Sequence, residues 1–529
     1  MTLALGDIAT PHHLATRAGR RALQDGGSAI DAALAAAAVL AVVYPHMNAL
    51  GGDAQALVAL PGGKVRAFSG AGAAALSASA AELGAPAASM PIHGVHPVTV
   101  PGLIGTWGAL HAEAGRIPWA ALFDEAITLA EGGVPVAAAL GRDLAALHPR
   151  LALDPGMRSV FFDASGRVLQ TGDLLRQPAL AQSLQALARS GAREFYEGAL
   201  GAAWVKGIRA LGSHLRMADL ESHRGEWLEP LTGRFGPLEV LTTPPLSQGH
   251  VLLQLIGAVE HLGLHSADPL GDAAPVLAHL CAATSAERDR VLGDPRHVRV
   301  DLHELLSGTH LAELVDAAAR RTLRTPVLQP RPRPDGDTVA IVAMDKDGLA
   351  VTLIQSIFHA FGAGLLEPAT GIVCQNRGAA FTLQDGPALL VGGRRPPTTL
   401  TPSLIRRNGR VEAALGCMGG KSQPQVLLQV LMRLLAGESP TRALAAPRWV
   451  VGSFGPSMET VVLAEGTVSE AARRRLAEAG LPMVIGDMRD DRVGHAQYVW
   501  RTGVDIASAT DPRGDGAEHP EPRRLNSAI

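Results

Sequence analysis

An α+β protein with a sheet-rich C-terminal third is expected from three features of the chain. Ala/Leu-rich stretches at helical spacing alternate with short apolar runs over the first two-thirds. A proline-rich break then runs from Arg324 to Asp337, and hairpin signals dominate the remaining third of the chain. The 529 residues suffice for about three domains or one large multilayer one. With 47 Lys and Arg against 50 Asp and Glu, the net charge is only −3, which argues against nucleic-acid partners. A 47% hydrophobic, 18% charged chain can bury a large core; with only 4% aromatic residues, that core must pack from small side chains.

The first element is helix-like sequence around His12, His13, Arg17, Arg20 and Arg21. No basic stretch followed by an apolar run and a small-residue cleavage site precedes it, so no signal peptide is expected. Ala29–Val43 is apolar but too short to span a membrane and carries Asp31, so it reads as a buried core helix. The apolar run Ala56–Leu60 comes next. Helices are expected at Trp119–Glu131, entered through Ile117-Pro118, at Leu180–Ser190, and at Pro275–Leu292, where Leu277, Leu280, Cys281 and Thr284 share a face. Cys281, Cys374 and Cys417 are odd in number and lack metal-ligand spacing. A disulfide framework and a zinc ribbon are excluded, and a reducing, cytoplasmic setting is expected.

Pro326, Pro330, Pro332 and Pro334 make the break extended and exposed. Thr338–Met344 then reads as a strand apolar on both faces, hence covered on both sides, and turns at Asp345–Gly348 into Leu349–Ile354. A second hairpin joins Ser403–Arg406 to Arg410–Leu415 through Asn408-Gly409. The loop Gly416–Ser422 leads to a helix whose face is Val426, Leu427, Val430, Leu431, Leu434 and Leu435.

Several motifs are decoys. Leu415 to Ser422 nearly spells a phosphate-binding loop, but Leu415 stands where the pattern needs glycine. No GxSxG or HExxH occurs. His12, His13 and His46 read as surface or capping groups rather than ligands. The break itself is more informative. Cleavage between Asp337 and Thr338 would give Thr338 a free α-amine, with a pKa of about 7.7–8.0, beside its own hydroxyl. Nucleophile and base would then be one residue. Otherwise Thr338 is an ordinary β-branched strand residue after a linker.

The blocks Gly336-Asp337-Thr338, Met344–Val351, Phe361–Gly364, Pro368–Ile372, Pro396–Pro402 and Met418-Gly419-Gly420 resemble the small subunit of the γ-glutamyltranspeptidase family. Upstream, Gly26–Ala33, Pro45-His46 through Gly51-Gly52-Asp53, Val98–Gly102, Asp289-Arg290 and Gly293-Asp294-Pro295 also match, as does Asp511-Pro512-Arg513 near the end. The resemblance implies a four-layer αββα N-terminal-nucleophile sandwich, a large subunit 1–337 and a small subunit 338–529 cut from one precursor, and no metal or organic cofactor. A dimer of such pairs is a further assembly it allows.

By the same resemblance, the Thr338 hydroxyl carries the acyl group, Gly419 and Gly420 form the oxyanion hole, and Ser356 hydrogen-bonds the nucleophile. Thr398 and Thr399 replace a Ser-Ser pair that contacts substrate. The stretch Phe68–Ala73 lacks the family's carboxylate-binding arginine, and Ala380 stands in place of its ammonium-binding acid. Arg377 takes the place of a neutral or acidic residue, so the carboxylate anchor has moved and an ammonium partner is missing. Asn376 and His359 are expected to line the site. The strings Gln355–Gly364, Cys374–Gly378 and Gly420–Gln425 resemble the oxamate amidohydrolase branch, which acts in purine-nitrogen breakdown. The expected substrate is a small carboxylate amide such as oxamate, with no nucleic acid or membrane involved. Two other readings stay open: a γ-glutamyltransferase or glutathione hydrolase, and an unprocessed non-catalytic relative or nucleotide-binding protein.

Overall fold

A computed structural model describes residues 5–83, 90–320, 337–453 and 460–516. The proline-rich break before Asp337 lies outside them. In chain order the strands of two large sheets are β1 (Gly6–Ala9), β2 (Asp53–Ala59), β3 (Val65–Ser69), β4 (Glu226–Leu228), β5 (Leu231–Phe235), β6 (Leu238–Thr242), β7 (Asp337–Asp345), β8 (Ala350–Phe358), β9 (Ser403–Arg407), β10 (Arg410–Cys417), β11 (Ala496–Thr502) and β12 (Asp505–Thr510). The first sheet has order β1-β7-β8-β2-β3-β4 and the second β12-β11-β10-β9-β6-β5. Every neighbouring pair is antiparallel.

The sheets face each other across a thin core of Ala9, Leu57, Ala67, Val342, Leu404, Ala414 and Val499. Small side chains let them approach closely. A Cβ on Gly416 of β10 would sit 3.1 Å from the Ala340 Cβ and 3.0 Å from the Thr352 Cγ2 of the opposite sheet. Helices α1 (His13–Gln24), α2 (Ala29–Val43) and α3 (Leu103–Ala114) form the outer layer on the first sheet. Helices α4 (Gly249–His261) and α6 (Gln423–Leu435) lie on the second, and α5 (Ala274–Val291) packs against α4. The architecture is the expected αββα sandwich.

All fifteen residues of α2 are buried, as expected of a core helix without a polar face. Its start is set by a capping box: Ser28 Oγ accepts from the Asp31 N–H at 3.2 Å, and Asp31 Oδ2 accepts from the Ser28 N–H at 2.8 Å. The hairpin at Asn408 and Gly409 has φ of +50° and +78°, the left-handed pair that matches strand twist. Three boundaries differ from expectation. Trp119–Phe123 is a 3₁₀ turn ahead of the helix Asp124–Gly132. Strand β8 continues past Ile354 because Ile354, Gln355 and Ser356 pair with Gln55, Ala54 and Asp53. Gly416 and Cys417 still belong to β10.

Of the histidines, His12 caps α1, its Nδ1 accepting from the Leu14 N–H at 3.2 Å. His46 is neither at the surface nor a cap. It is fully buried between Tyr44 and Phe361, with ring centroids at 4.4 and 6.1 Å. The two expected subunits interleave: β7 and β8 lie between β1 and β2, and β9–β12 continue the sheet begun by β5 and β6. A cut before Thr338 therefore leaves both sheets hydrogen-bonded across the two fragments.

Candidate active site

Strand side chains alternate between faces, so the inner face of the first sheet can be read row by row. One row is Val342, Thr352, Leu57 and Ala67; the next is Ala340, Ile354, Gln55 and Ser69. The third is Thr338, Ser356 and Asp53. Over two steps the face passes from mostly apolar to fully polar, and the polar end is the candidate site. Two residues of β8, Ser356 and Ile357, oppose the single Thr338 of β7 because the register shifts between Gln355 and Phe358. Such a bulge re-aims side chains. Here it turns Phe358 to φ +82° and lets its N–H donate to Ser356 Oγ at 2.8 Å. Thr338 is fully buried, and in the uncut chain its hydroxyl has no hydrogen-bond partner.

The second sheet supplies the facing wall. Ala414 packs in the same inner cluster as Val342, and Gly416 abuts Ala340. Two residues forward on β10 thus match two residues back on β7, which brings the segment after Cys417 level with Thr338. Gly419 and Gly420 have φ of +135° and +52°, where a side chain would be strained. Gly420 is the first residue of a 3₁₀ turn, Gly420–Ser422, leading into α6, so its N–H has no acceptor within the turn. An N–H without an acceptor in its own turn is the kind of donor an oxyanion hole requires.

Gln248, ahead of α4, ties this loop to the Thr398–Thr399 loop. Its Nε2 donates to Gly420 O and Thr399 O, each at 2.9 Å. Thr399 Oγ1 is buried without a partner, while Thr398 Oγ1 accepts from the Leu400 N–H at 3.4 Å. Sequence reasoning missed Gln248; its only signal was a polar residue opening an apolar helix. Gln248→Ala is expected to lower kcat/KM about tenfold, because the Gly420 and Thr399 carbonyls both lose the amide that ties their loops together. Steady-state kinetics check this.

Arg377 opens the 3₁₀ turn Arg377–Ala380 and is fully buried. None of its three guanidinium nitrogens has a hydrogen-bond partner. The guanidinium rests on the Phe358 ring at 4.3 Å from the centroid. Burial pushes its pKa down to about 10, with the nearby Asp53 working the other way. No protein group accepts a hydrogen bond from this buried cation, which leaves its five donors open to an anion.

Asp53 stands out in the sequence only as the last residue of a motif, with no role of its own. In the fold its Oδ1 accepts from the N–H groups of Gly72 and Gly102 at 3.2 and 3.1 Å and from Gln375 Nε2 at 3.1 Å. Its Oδ2 is buried without a partner. Burial raises its pKa to about 6, against the pull of Arg377. The ammonium partner sought at Ala380 is absent there, but a carboxyl group does stand beside Arg377.

Asn376 spends its amide on the protein. Oδ1 accepts from the His359 N–H at 3.1 Å, and Nδ2 donates to Ile92 O at 2.7 Å. His359 stacks on Phe358 with ring centroids 4.3 Å apart, and its Nδ1 lies 3.2 Å from Asn376 Nδ2. Both residues therefore hold the Phe358–Arg377 pair in place. Next to the Gly419-Gly420 pair, Lys421 pairs with Asp289 at 2.8 Å, which pairs with the buried Arg288 at 2.5 Å. Among the described residues no three His, Cys, Asp or Glu side chains converge to hold a metal, and no helix is long and apolar enough to cross a membrane.

The chain is similar to known proteins over nearly its whole length. The family model described as Gamma-glutamyltranspeptidase matches residues 15–520. Oxamate amidohydrolase proenzyme of Klebsiella pneumoniae subsp. pneumoniae is 37% identical over 97% of this chain and 98% of its own. Glutathione hydrolase-like YwrD proenzyme of Bacillus subtilis is 33% identical over 96% of this chain and 97% of its own. The crystal structure of cephalosporin acylase from Bacillus halodurans superposes with a TM-score of 0.87 at 31% identity, covering 97% of this chain and 95% of that one.

Proposed function

Because the chain belongs to the γ-glutamyltranspeptidase family and is an N-terminal-nucleophile amidohydrolase of it, we propose that it hydrolyses the amide of a small carboxylate substrate, oxamate being the leading candidate. The observation that carries this reading is Arg377, a fully buried guanidinium with no protein partner at the polar end of the sandwich where Thr338 lies. The relative named an oxamate amidohydrolase supports the substrate assignment.

In the proposed reaction the precursor first cuts itself between Asp337 and Thr338. The new α-amine of Thr338 takes the hydroxyl proton, and the oxygen attacks the amide carbon. Gly419 and Gly420 receive the negative charge on the carbonyl oxygen. Arg377 holds the carboxylate with paired N–H donors. The C–N bond breaks as the amine returns its proton to nitrogen, and ammonia leaves. Water, deprotonated by the same amine, then hydrolyses the threonyl ester, so oxamate and water become oxalate and ammonium. A reducing, cytoplasmic setting, a role in purine-nitrogen breakdown, and a processed pair of chains 1–337 and 338–529 are part of the proposal.

The test is ammonia release from oxamate against glutamate release from glutathione, using protein that runs as two fragments on a denaturing gel. Oxamate turnover well above glutathione turnover is expected. The reverse would favour the γ-glutamyl reading, for which the relative named glutathione hydrolase-like speaks. A single intact band of 54.9 kDa with no turnover would refute both.

A further inference from the structure

Arg377 and Asp53 present a second, unexplained half of the site. Asp53 is 1% exposed and its Oδ1 is saturated by three donors, yet its Oδ2 has no partner. It stands in the same polar row as Ser356 and Thr338. The neighbouring polar pair gives Oδ2 nothing, because Gln55 Nε2 donates to Ser69 Oγ at 2.8 Å. Arg377 does not satisfy it either, since all three guanidinium nitrogens are themselves unpartnered.

Both groups are fixed where they are. Asp53 is held by the Gly72, Gly102 and Gln375 donors, and Arg377 by the Phe358 ring. An acceptor and a fork of donors that could have neutralised each other are instead kept apart. Buried polar atoms without partners are costly and rare. Two of opposite character, near enough to feel each other's charge but not hydrogen-bonded, describe the complement of their ligand: an anion for Arg377 and an N–H for Asp53.

We infer that Asp53 is a specificity-determining residue whose Oδ2 accepts an N–H of the bound substrate while Arg377 takes its carboxylate. The substrate class is thereby narrowed to short carboxylates that carry an N–H donor next to the acid group. This rests on the amidohydrolase reading above. In oxamate the donor is the primary amide itself; in a γ-glutamyl compound it would be the α-ammonium. An ester of the same length offers oxygen in that position and gains nothing from Asp53. Withdrawing N–H recognition while the scaffold stays intact requires a substitution that keeps the Oδ1 contacts. Asn does so: its carbonyl oxygen can accept from Gly72, Gly102 and Gln375, while its NH₂ points a donor where Oδ2 was.

The experiment compares Asp53→Asn with the parent on two matched pairs: oxamate against monomethyl oxalate, and γ-glutamyl-p-nitroanilide against glutaryl-p-nitroanilide. Self-cleavage is followed by gel on the same preparations. For whichever pair the parent turns over, Asp53→Asn should lose tenfold or more in kcat/KM on the N–H-bearing member and less than threefold on the other. An equal loss on both members, or no loss on either, overturns the assignment of Asp53. Because each ratio is taken on one preparation, partial misfolding cancels. Failure of the parent on oxamate with success on the anilide overturns the oxamate reading alone and still tests Asp53; failure on both pairs overturns the amidohydrolase reading, and the inference with it.

Discussion

Thr338→Ala is expected to remain a single chain of 54.9 kDa and to release no ammonia from oxamate. The substitution removes the hydroxyl that, in the proposed mechanism, attacks the preceding peptide bond. Without that cut the α-amine of residue 338 stays locked in an amide and cannot act as a base. Nucleophile and base are therefore lost together, and the rate should fall on the order of 10⁴-fold or more. The strand itself should survive, because Thr338 Oγ1 makes no hydrogen bond in the uncut chain and β7 is held by β1 and β8 on either side. Thr338→Ser, which keeps the oxygen, should still cut itself. Mass spectrometry of both variants checks the prediction: an intact but active Thr338→Ala protein would remove the basis of the mechanism.

Arg377→Ala should cut itself normally and then lose affinity for the carboxylate. Losing a buried charge-assisted contact costs about 2–5 kcal/mol, or roughly 30- to 4,000-fold in kcat/KM. Arg377→Lys should recover only part, since one ammonium cannot reproduce the planar fork. Stability should move the other way. The guanidinium is buried with no hydrogen bond to repay its desolvation, so Arg377→Met is expected to melt at the same temperature or higher. Activity falling while stability holds or rises separates an anchor kept for substrate from a structural ion pair. A lowered melting temperature with unchanged kinetics would identify Arg377 as structural.

Much of the fold was legible because its signals are local. The apolar run Ala29–Val43, the Asn408-Gly409 turn and the two-sided apolar strand Thr338–Met344 each occupy the place that their own residues specify. The strand runs on past Ile354 because Gln355 and Ser356, polar residues that end the apolar pattern, pair with Ala54 and Asp53 of β2. Motif residues also divided in ways spacing does not reveal. Asp511 and Arg513 are buried in an ion network with Arg448 and Glu465, Arg513 reaching Glu465 at 2.6 Å, and Asp294 holds Arg395 at 3.0 Å. The first network ties the chain after β12 to the segments at Arg448 and Glu465, and the second ties the loop after α5 to the stretch before Pro396.

From the sequence came Thr338 behind its proline-rich break and, through the family resemblance, the glycine pair at 419 and 420 and the displaced cation at Arg377. Each depends on chemistry written within a few neighbouring positions. Only the folded chain decided that Asp53, 285 positions before Thr338, shares a polar row with it, and that Gln248 clasps two distant loops. Those relations arise from strand register and from the packing of one sheet on another, and neither is encoded at any single position.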